Sequence, residues 1–255
     1  MNVVQLYKRL PQKQCRECRQ KTCMPFALAL IRGEAELSEC PHLTREELAD
    51  LSAVLKRSDW REELIDKLRH EIREIPFQKV AEGIGGELRV GSLVLRCLGR
   101  DFTVSPHGEI TSLGHITPWM KILLLHYIRT AGEGPLSGQW VSFSDLKGGM
   151  VKIAALEREC ETPLRELFEK DYARTVERLT ALGAEQTAEF STPHAWLISL
   201  LPRIPVAILF WPAEEEFSPT VKLLFDRSAD RFLDVETLIF LSEGLVRHLE
   251  TRPHP

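Results

Sequence analysis

The chain has 255 residues, 44% of them hydrophobic, enough for one large domain or a small module beside a larger one. A formal net charge of −4 supplies no overall attraction to nucleic acid or to an anionic membrane surface. Charge is uneven along the chain: residues 1–44 hold seven Lys/Arg against four Glu, a surplus suited to a solvated surface, to an anionic metal group or to an acidic redox partner.

In chain order, MNVVQLYKRLPQ does not read as a signal peptide, because Lys8 and Arg9 interrupt any apolar stretch. No apolar run reaches membrane-spanning length; KILLLHYI at 121–128 is too short and contains His126. The expected location is therefore the cytoplasm, with neither nucleic acid nor membrane as partner. A reducing compartment disfavours a disulfide framework, and clustered cysteines there are more often metal-binding or catalytic. Four of the six cysteines, Cys15, Cys18, Cys23 and Cys40, lie within the first 40 residues in the pattern C-x2-C-x4-C-x16-C, with Pro41 following. Between the last two, MPFALALIRGE reads as a short helix with apolar residues to cover a metal group. Four thiolates suit a 4Fe–4S cubane, one per iron, or a tetrahedral zinc site. Zinc ribbons usually show two C-x-x-C knuckles, and here the second pair is split.

Residues 44–75 read as two helices forming a connector. Thr44 with Glu47, and Asp59 with Glu62, have capping-box spacing. Leu48, Leu51, Val54 and Leu55 make one apolar face; Leu64, Leu68, Ile72 and Ile75 make another. Strands are expected near 87–90, 93–98, 101–105 and 109–112, separated by glycine-containing turns. Thr117-Pro118 opens a helix to about Thr130, and Gln139 to Gly149 reads as a loop. Residues 150–158 form a short helix and Thr162-Pro163 opens one longer helix ending at Gly183. Four strands follow near 185–190, 195–201, 206–211 and 221–226, and Asp234 begins a last helix to Glu250. The expected fold class is α+β: a cluster module at 1–43, a helical connector at 44–75, and an α+β domain at 76–255 with antiparallel sheet packed with helices.

The stretch from Leu10 through Cys15-Arg16-Glu17-Cys18, then Thr22-Cys23, Ala27 to Gly33-Glu34-Ala35-Glu36-Leu37, and Cys40-Pro41, resembles a known cluster module. It is similar to the 4Fe–4S domain of the large subunit of the corrinoid/iron–sulfur protein of the acetyl-CoA pathway, and to a module in the B subunit of the Rnf electron-transport complex. The resemblance covers residues 8–43 and implies one 4Fe–4S cluster on Cys15, Cys18, Cys23 and Cys40. Arg16 and Gln20 stand where that family often has glycine. Residues 76–250 resemble a domain of unknown function that accompanies such modules in anaerobes; corrinoid binding does not carry over to it.

Elsewhere the signals are weaker. Cys97 and Cys160 read as small buried residues, with a thiol beside the cluster or a bridge in a homodimer as the rival reading. His126 reads as a core histidine, while His107 and His115 are freer to line a pocket; His248 and His254 carry no reading. Gly83-Ile84-Gly85-Gly86 lacks the context of a phosphate loop, and Gly148-Gly149 reads as a turn. No nucleophile–base–orienter series can be named. The reading that follows is an iron–sulfur redox protein passing single low-potential electrons to a partner protein or bound cofactor, with a corrinoid protein as the suggested partner. The competing readings are an enzyme reducing a small substrate at the cluster and a non-catalytic, metal-stabilised interaction module.

Overall fold

The computed structural model describes residues 3–18, 20–32, 34–57, 60–214 and 217–250. Arg19 of the basic segment, Gly33, Asp59 of the second capping pair and His254 lie outside them. The fold is α+β, and the chain divides into two compact units, Met1–Leu64 and Ile65–Pro255.

The first unit is helical. A short helix, α1 (Val3–Tyr7), precedes an irregular loop; α2 (Cys23–Arg32) follows, then a single tight turn at Leu37–Glu39, then α3 (Arg45–Arg57) and the start of α4 (Trp60–Ile72). Helix α1 has no counterpart among the elements expected from the sequence. Thr44 caps α3 as its spacing predicts: its hydroxyl accepts from the Glu47 N–H, and the Glu47 carboxylate accepts from the Thr44 N–H at 2.8 Å. The core consists of Leu6, Leu10, Phe26, Ala27, Leu30, Leu37, Leu43 and Leu51, together with the thiols Cys23 and Cys40.

The second unit opens with the rest of α4 and α5 (Phe77–Val80). A four-stranded antiparallel meander follows in the order β1 (Glu87–Arg89), β2 (Ser92–Cys97), β3 (Arg100–Val104), β4 (Ile110–Ser112). Each strand lies within two residues of its expected place, because period-two alternation and the glycine turns leave little freedom. Helix α6 (Pro118–Thr130) is capped by the Thr117 hydroxyl, which accepts from the Met120 N–H, and ends at Ala131 in the left-handed region.

The second sheet has five strands, not four. The loop expected around Trp140 supplies β5 (Trp140–Ser142), too short to show a period. Its other strands are β6 (Glu185–Gln186), β7 (His194–Leu201), β8 (Ile204–Trp211) and β9 (Thr220–Asp226), in the order β5-β9-β8-β7-β6, all antiparallel. Strand β8 is buried almost throughout, as a central strand requires. Gly149 holds its turn for a steric reason: a Cβ there would lie 1.7 Å from the Phe143 carbonyl oxygen.

The single helix expected from Thr162 to Gly183 is two. A π-turn at Glu157–Glu161 joins the short helix α7 (Ile153–Leu156) to α8 (Thr162–Lys170), and α9 (Tyr172–Ala181) starts afresh. The π-turn stands just ahead of Pro163, which has no N–H to give a regular ladder. Asp171 breaks the run, and its carboxylate caps α9 by accepting from the Arg174 N–H. Phe168 of α8 stacks on Phe210 and Trp196 of the sheet, with centroids 4.7 and 5.2 Å away. Helix α10 (Val235–Glu250) closes the unit, its N-terminal Thr237 N–H bonded to the Asp234 carboxylate.

Asp226, 3% exposed, is the polar anchor of this sheet. Its carboxylate accepts from the Ser137 and Gly138 N–H groups and from the N–H and hydroxyl of Ser228, which pins the 137–138 loop beside β5 and β9. Burial works to raise its pKa, and these donors together outweigh it and lower it to about 2. A folded-state pKa below the unfolded value stabilises the fold above the unfolded pKa, and that contribution is lost as pH falls through the folded one. Asp226→Asn should therefore cost about 2 kcal/mol near neutrality. The difference from wild type should shrink between about pH 4 and pH 2. Chemical denaturation across that range checks both.

Three apolar side chains of α4, Ile65, Leu68 and Ile72, are at most 1% exposed and belong to the second unit. On the same helix Arg69 donates to the Gly108 carbonyl and pairs with Glu109. A fragment beginning at Trp60 should melt cooperatively without iron, whereas one beginning at Phe77 should lose about 4–9 kcal/mol from those three burials. Circular dichroism melts of the two fragments make the comparison.

Candidate metal centre

The described residues between Pro11 and Thr22 have no regular structure and include Cys15 and Cys18. Its backbone is unusual: Gln12, Gln14 and Arg16 have φ of 52°, 51° and 64°. These are left-handed conformations, which cost a side-chain-bearing residue roughly 1–2 kcal/mol each. Alternation of handedness along a loop turns successive N–H groups toward a common concavity, a geometry that favours anions. Arg16 thus keeps a glycine-type conformation while adding a cation.

Gln14 secures the loop. Its side-chain oxygen accepts from the Cys23 N–H at 3.0 Å, and its amide nitrogen donates to the Tyr7 hydroxyl at 3.1 Å. Cys23 is the first residue of α2, at the partially positive end of the helix. Cys40 ends the tight turn at Leu37–Glu39, where its N–H donates to the Leu37 carbonyl. The Glu36 and Glu39 side chains and backbones bond reciprocally across that turn.

These elements bring Cys15, Cys18, Cys23 and Cys40 to the wall of one pocket. Its apolar walls come from Leu10, Pro11, Phe26 and Pro41, and Lys13 and Arg16 contribute positive charge. Cys15 is exposed, Cys18 partly so, and Cys23 and Cys40 are buried. Four soft thiols, apolar cover and flanking cations are a donor set suited to an anionic iron–sulfur group. The pocket has one neighbour that spacing did not reveal. His42 sits 2.9 Å from the Glu17 carboxylate and 3.4 Å from Lys13 Nζ. The ligating atoms of Cys15, Glu17 and His42 all lie within 4.8 Å of one another.

The remaining cysteines are elsewhere. Cys97, in β2, is 1% exposed with its sulfur 3.9 Å from that of Met120. Cys160, in the π-turn, is fully buried and its thiol donates to the Ile239 carbonyl. Burial pushes the Cys97 thiol up to about 12 and raises Cys160 as well, so both remain neutral thiols. His126 is not a core residue: it is partly exposed and lies 3.2 Å from the Asp234 carboxylate. Burial, helped by Arg129, still lowers its pKa. His107 is exposed on its turn, whereas His115 lines a cavity of the second unit together with His248. None of the described helices is long and apolar enough to cross a membrane.

Comparison with known proteins separates the chain the same way. Residues 10–42 match the family described as "Putative Fe-S cluster", and residues 76–248 match the family described as "Domain of unknown function (DUF3786)". Among curated proteins, the corrinoid/iron-sulfur protein large subunit of Moorella thermoacetica is 44% identical over 41 residues, 16% of this chain and 9% of that protein. The acetyl-CoA decarbonylase/synthase complex subunit gamma 1 of Methanosarcina thermophila is 42% identical over 57 residues, 20% and 12% of the two chains. The gamma subunit of that complex from Methanopyrus kandleri is 38% identical over 55 residues, 22% and 12%. The matches therefore span only about a tenth of these relatives' length. No solved structure matches the chain.

If the left-handed backbone at Arg16 is what the pocket demands, Arg16→Gly, which relieves roughly 1 kcal/mol of strain while removing a cation, should hold metal far better than a branched residue there. Arg16→Val, whose branched side chain resists that conformation, should lower metal content. Metal-to-protein ratios and melting of the two variants decide it.

Proposed function

We propose, for a chain that belongs to the family of the domain of unknown function DUF3786 and carries an iron–sulfur module ahead of it, a role as a single-electron redox protein. Cys15, Cys18, Cys23 and Cys40 would hold one 4Fe–4S cluster. The observation that carries the reading is the convergence of those four thiols on one pocket inside the segment that matches the iron–sulfur family. Such a cluster supplies one-electron exchange at low potential. The protein's part is to hold and tune it. Phe26, Leu10 and Pro41 exclude water from one side, and low dielectric there strengthens each charge interaction. Lys13 and Arg16 offset negative charge, and the N-terminus of α2 adds to them at Cys23. The exposed Cys15 edge is the side from which electrons can leave.

The partner is proposed to be a protein. The matched relatives are subunits named for a corrinoid/iron-sulfur protein and for an acetyl-CoA decarbonylase/synthase complex, and a corrinoid protein is the partner class these names suggest. The module would span about residues 1–43, and a cytoplasmic location accords with its thiols. A second reading, a mononuclear metal held with mixed donors, draws on the approach of Glu17 and His42 to Cys15.

Anaerobic purification with iron, sulfide and zinc analysis, followed by electron paramagnetic resonance of the reduced protein, separates the two. About four irons and four sulfides per chain, with an S = 1/2 signal on reduction, support the cluster. Stoichiometric zinc without sulfide would overturn it. Cys15→Ala, Cys18→Ala, Cys23→Ala and Cys40→Ala should each lose most of the iron, while Cys97→Ala and Cys160→Ala should retain it.

A further inference from the structure

The second unit contains a cavity of about 270 Å³ between β2, β3, α6 and α10. That is a size suited to one ring with a short side chain. Its interior is apolar. Cys97, Phe102, Met120 and Leu123 line it, and Trp119 and Phe240 form an aromatic wall with centroids 5.1 Å apart. The neutral thiol of Cys97 and the thioether of Met120 make this interior soft and polarisable.

Its polar lining comes from Arg100, Arg247, His115, His248 and Thr117, and none of the lining residues is acidic, although the whole chain is net negative. Arg100 is already positioned: it donates to the Leu113 and His115 carbonyls and its guanidinium lies 4.4 Å from the centre of the Phe102 ring. A cation ordered in advance loses little entropy when a ligand arrives. Arg247 and His248 stand on the last turn of α10, where Arg247 also pairs with Glu243 at 3.2 Å. His248 Nδ1 lies 2.7 Å from the Gly244 carbonyl oxygen, so that contact takes the Nδ1 proton and sets the orientation of the ring. Gly244 itself lines the cavity and keeps α10 close to Leu98: a Cβ there would come 3.0 Å from that side chain.

We propose that this cavity binds a small organic carboxylate, with a hydrocarbon or aromatic body in the apolar interior and the carboxylate at the Arg100–Arg247 side. An apolar pocket with a few convergent polar groups is the usual form of a small-molecule site, and guanidinium groups match carboxylate geometry. The site is built entirely within the DUF3786 region and does not depend on the cysteine pocket.

The test uses the full-length protein labelled with 13C at its methionine methyls, of which the chain has four. Met120→Leu assigns the methyl that lines the cavity. Phenylacetate should shift the Met120 methyl saturably at or below about 5 mM, and neutral phenylacetamide should bind at least about tenfold more weakly. Arg247→Gln should weaken phenylacetate about fivefold or more without changing the melting temperature greatly. Gly244→Leu, which fills the cavity, should abolish the shift. No saturable Met120 shift with phenylacetate overturns the site. Equal binding of phenylacetamide, or an unchanged affinity in Arg247→Gln, overturns the anionic specificity; should Gly244→Leu not fold, those two measurements still decide.

Discussion

Burial of one face of α2 is the constraint on which the cysteine pocket depends. Phe26, Ala27 and Leu30 pack with Leu6, Leu37, Leu43 and Leu51, and that packing fixes the helix between two ligand candidates. Cys23 begins α2, and Cys40 follows the tight turn beyond its end, so both thiols are drawn into the core. Cys15 and Cys18 ride on a loop whose ties include the Gln14 bridge to Cys23 and Tyr7. A unit of about 64 residues has a small apolar core, rarely worth more than about 3–5 kcal/mol by itself. A metal group bound by four thiolates would then supply folding free energy as well as chemistry, since its site has no counterpart in the unfolded chain.

The second unit is stabilised differently. Its sheets are long enough to bury strand β8 almost completely, and aromatic stacking of Phe168 against Trp196 and Phe210 fastens α8 to them. Its two buried carboxylates among the described residues are satisfied: Asp226 takes donors from two loops, and Glu161 takes the Lys222 ammonium at 2.7 Å and the Leu223 N–H at 3.0 Å. Such groups hold their places because an unpaired buried carboxylate would be far more costly than the bonds that secure it. The result is a unit whose core closes on its own apolar side chains and that keeps a cavity beside its meander.

The two units carry different chemistry. The first matches a segment of much longer proteins, the corrinoid/iron-sulfur protein large subunit and the acetyl-CoA decarbonylase/synthase complex subunit gamma, of which it is about a tenth. That breadth marks a portable cluster module, and a shared module does not by itself transfer a reaction. What distinguishes this chain is the DUF3786 region, where Arg100 and Arg247 stand at the wall of an apolar cavity.

The sequence by itself determined most of the local structure. The four-cysteine pattern, the Thr44–Glu47 cap, the Thr117-Pro118 helix start and the meander strands are all properties of near neighbours in the chain. Hydroxyl caps, proline at the first turn and period-two alternation act over a few residues, so they are visible without a fold. Only the tertiary structure decided features that depend on distant residues. Strand β5 exists because β9 offers it an edge, from Trp140 opposite Asp226 to Ser142 opposite Leu224. The break at Asp171 reflects local capping overriding an apolar stripe that looked continuous. His248, which had no periodic signal to mark it, meets Arg100 and His115 around one cavity because α10 packs beside β2 and α6. His42 approaches Cys15 across 27 residues of chain by the same cause. Side chains far apart in sequence are brought together by burial of apolar faces, and that burial is set by the packing of whole elements, which no local pattern records.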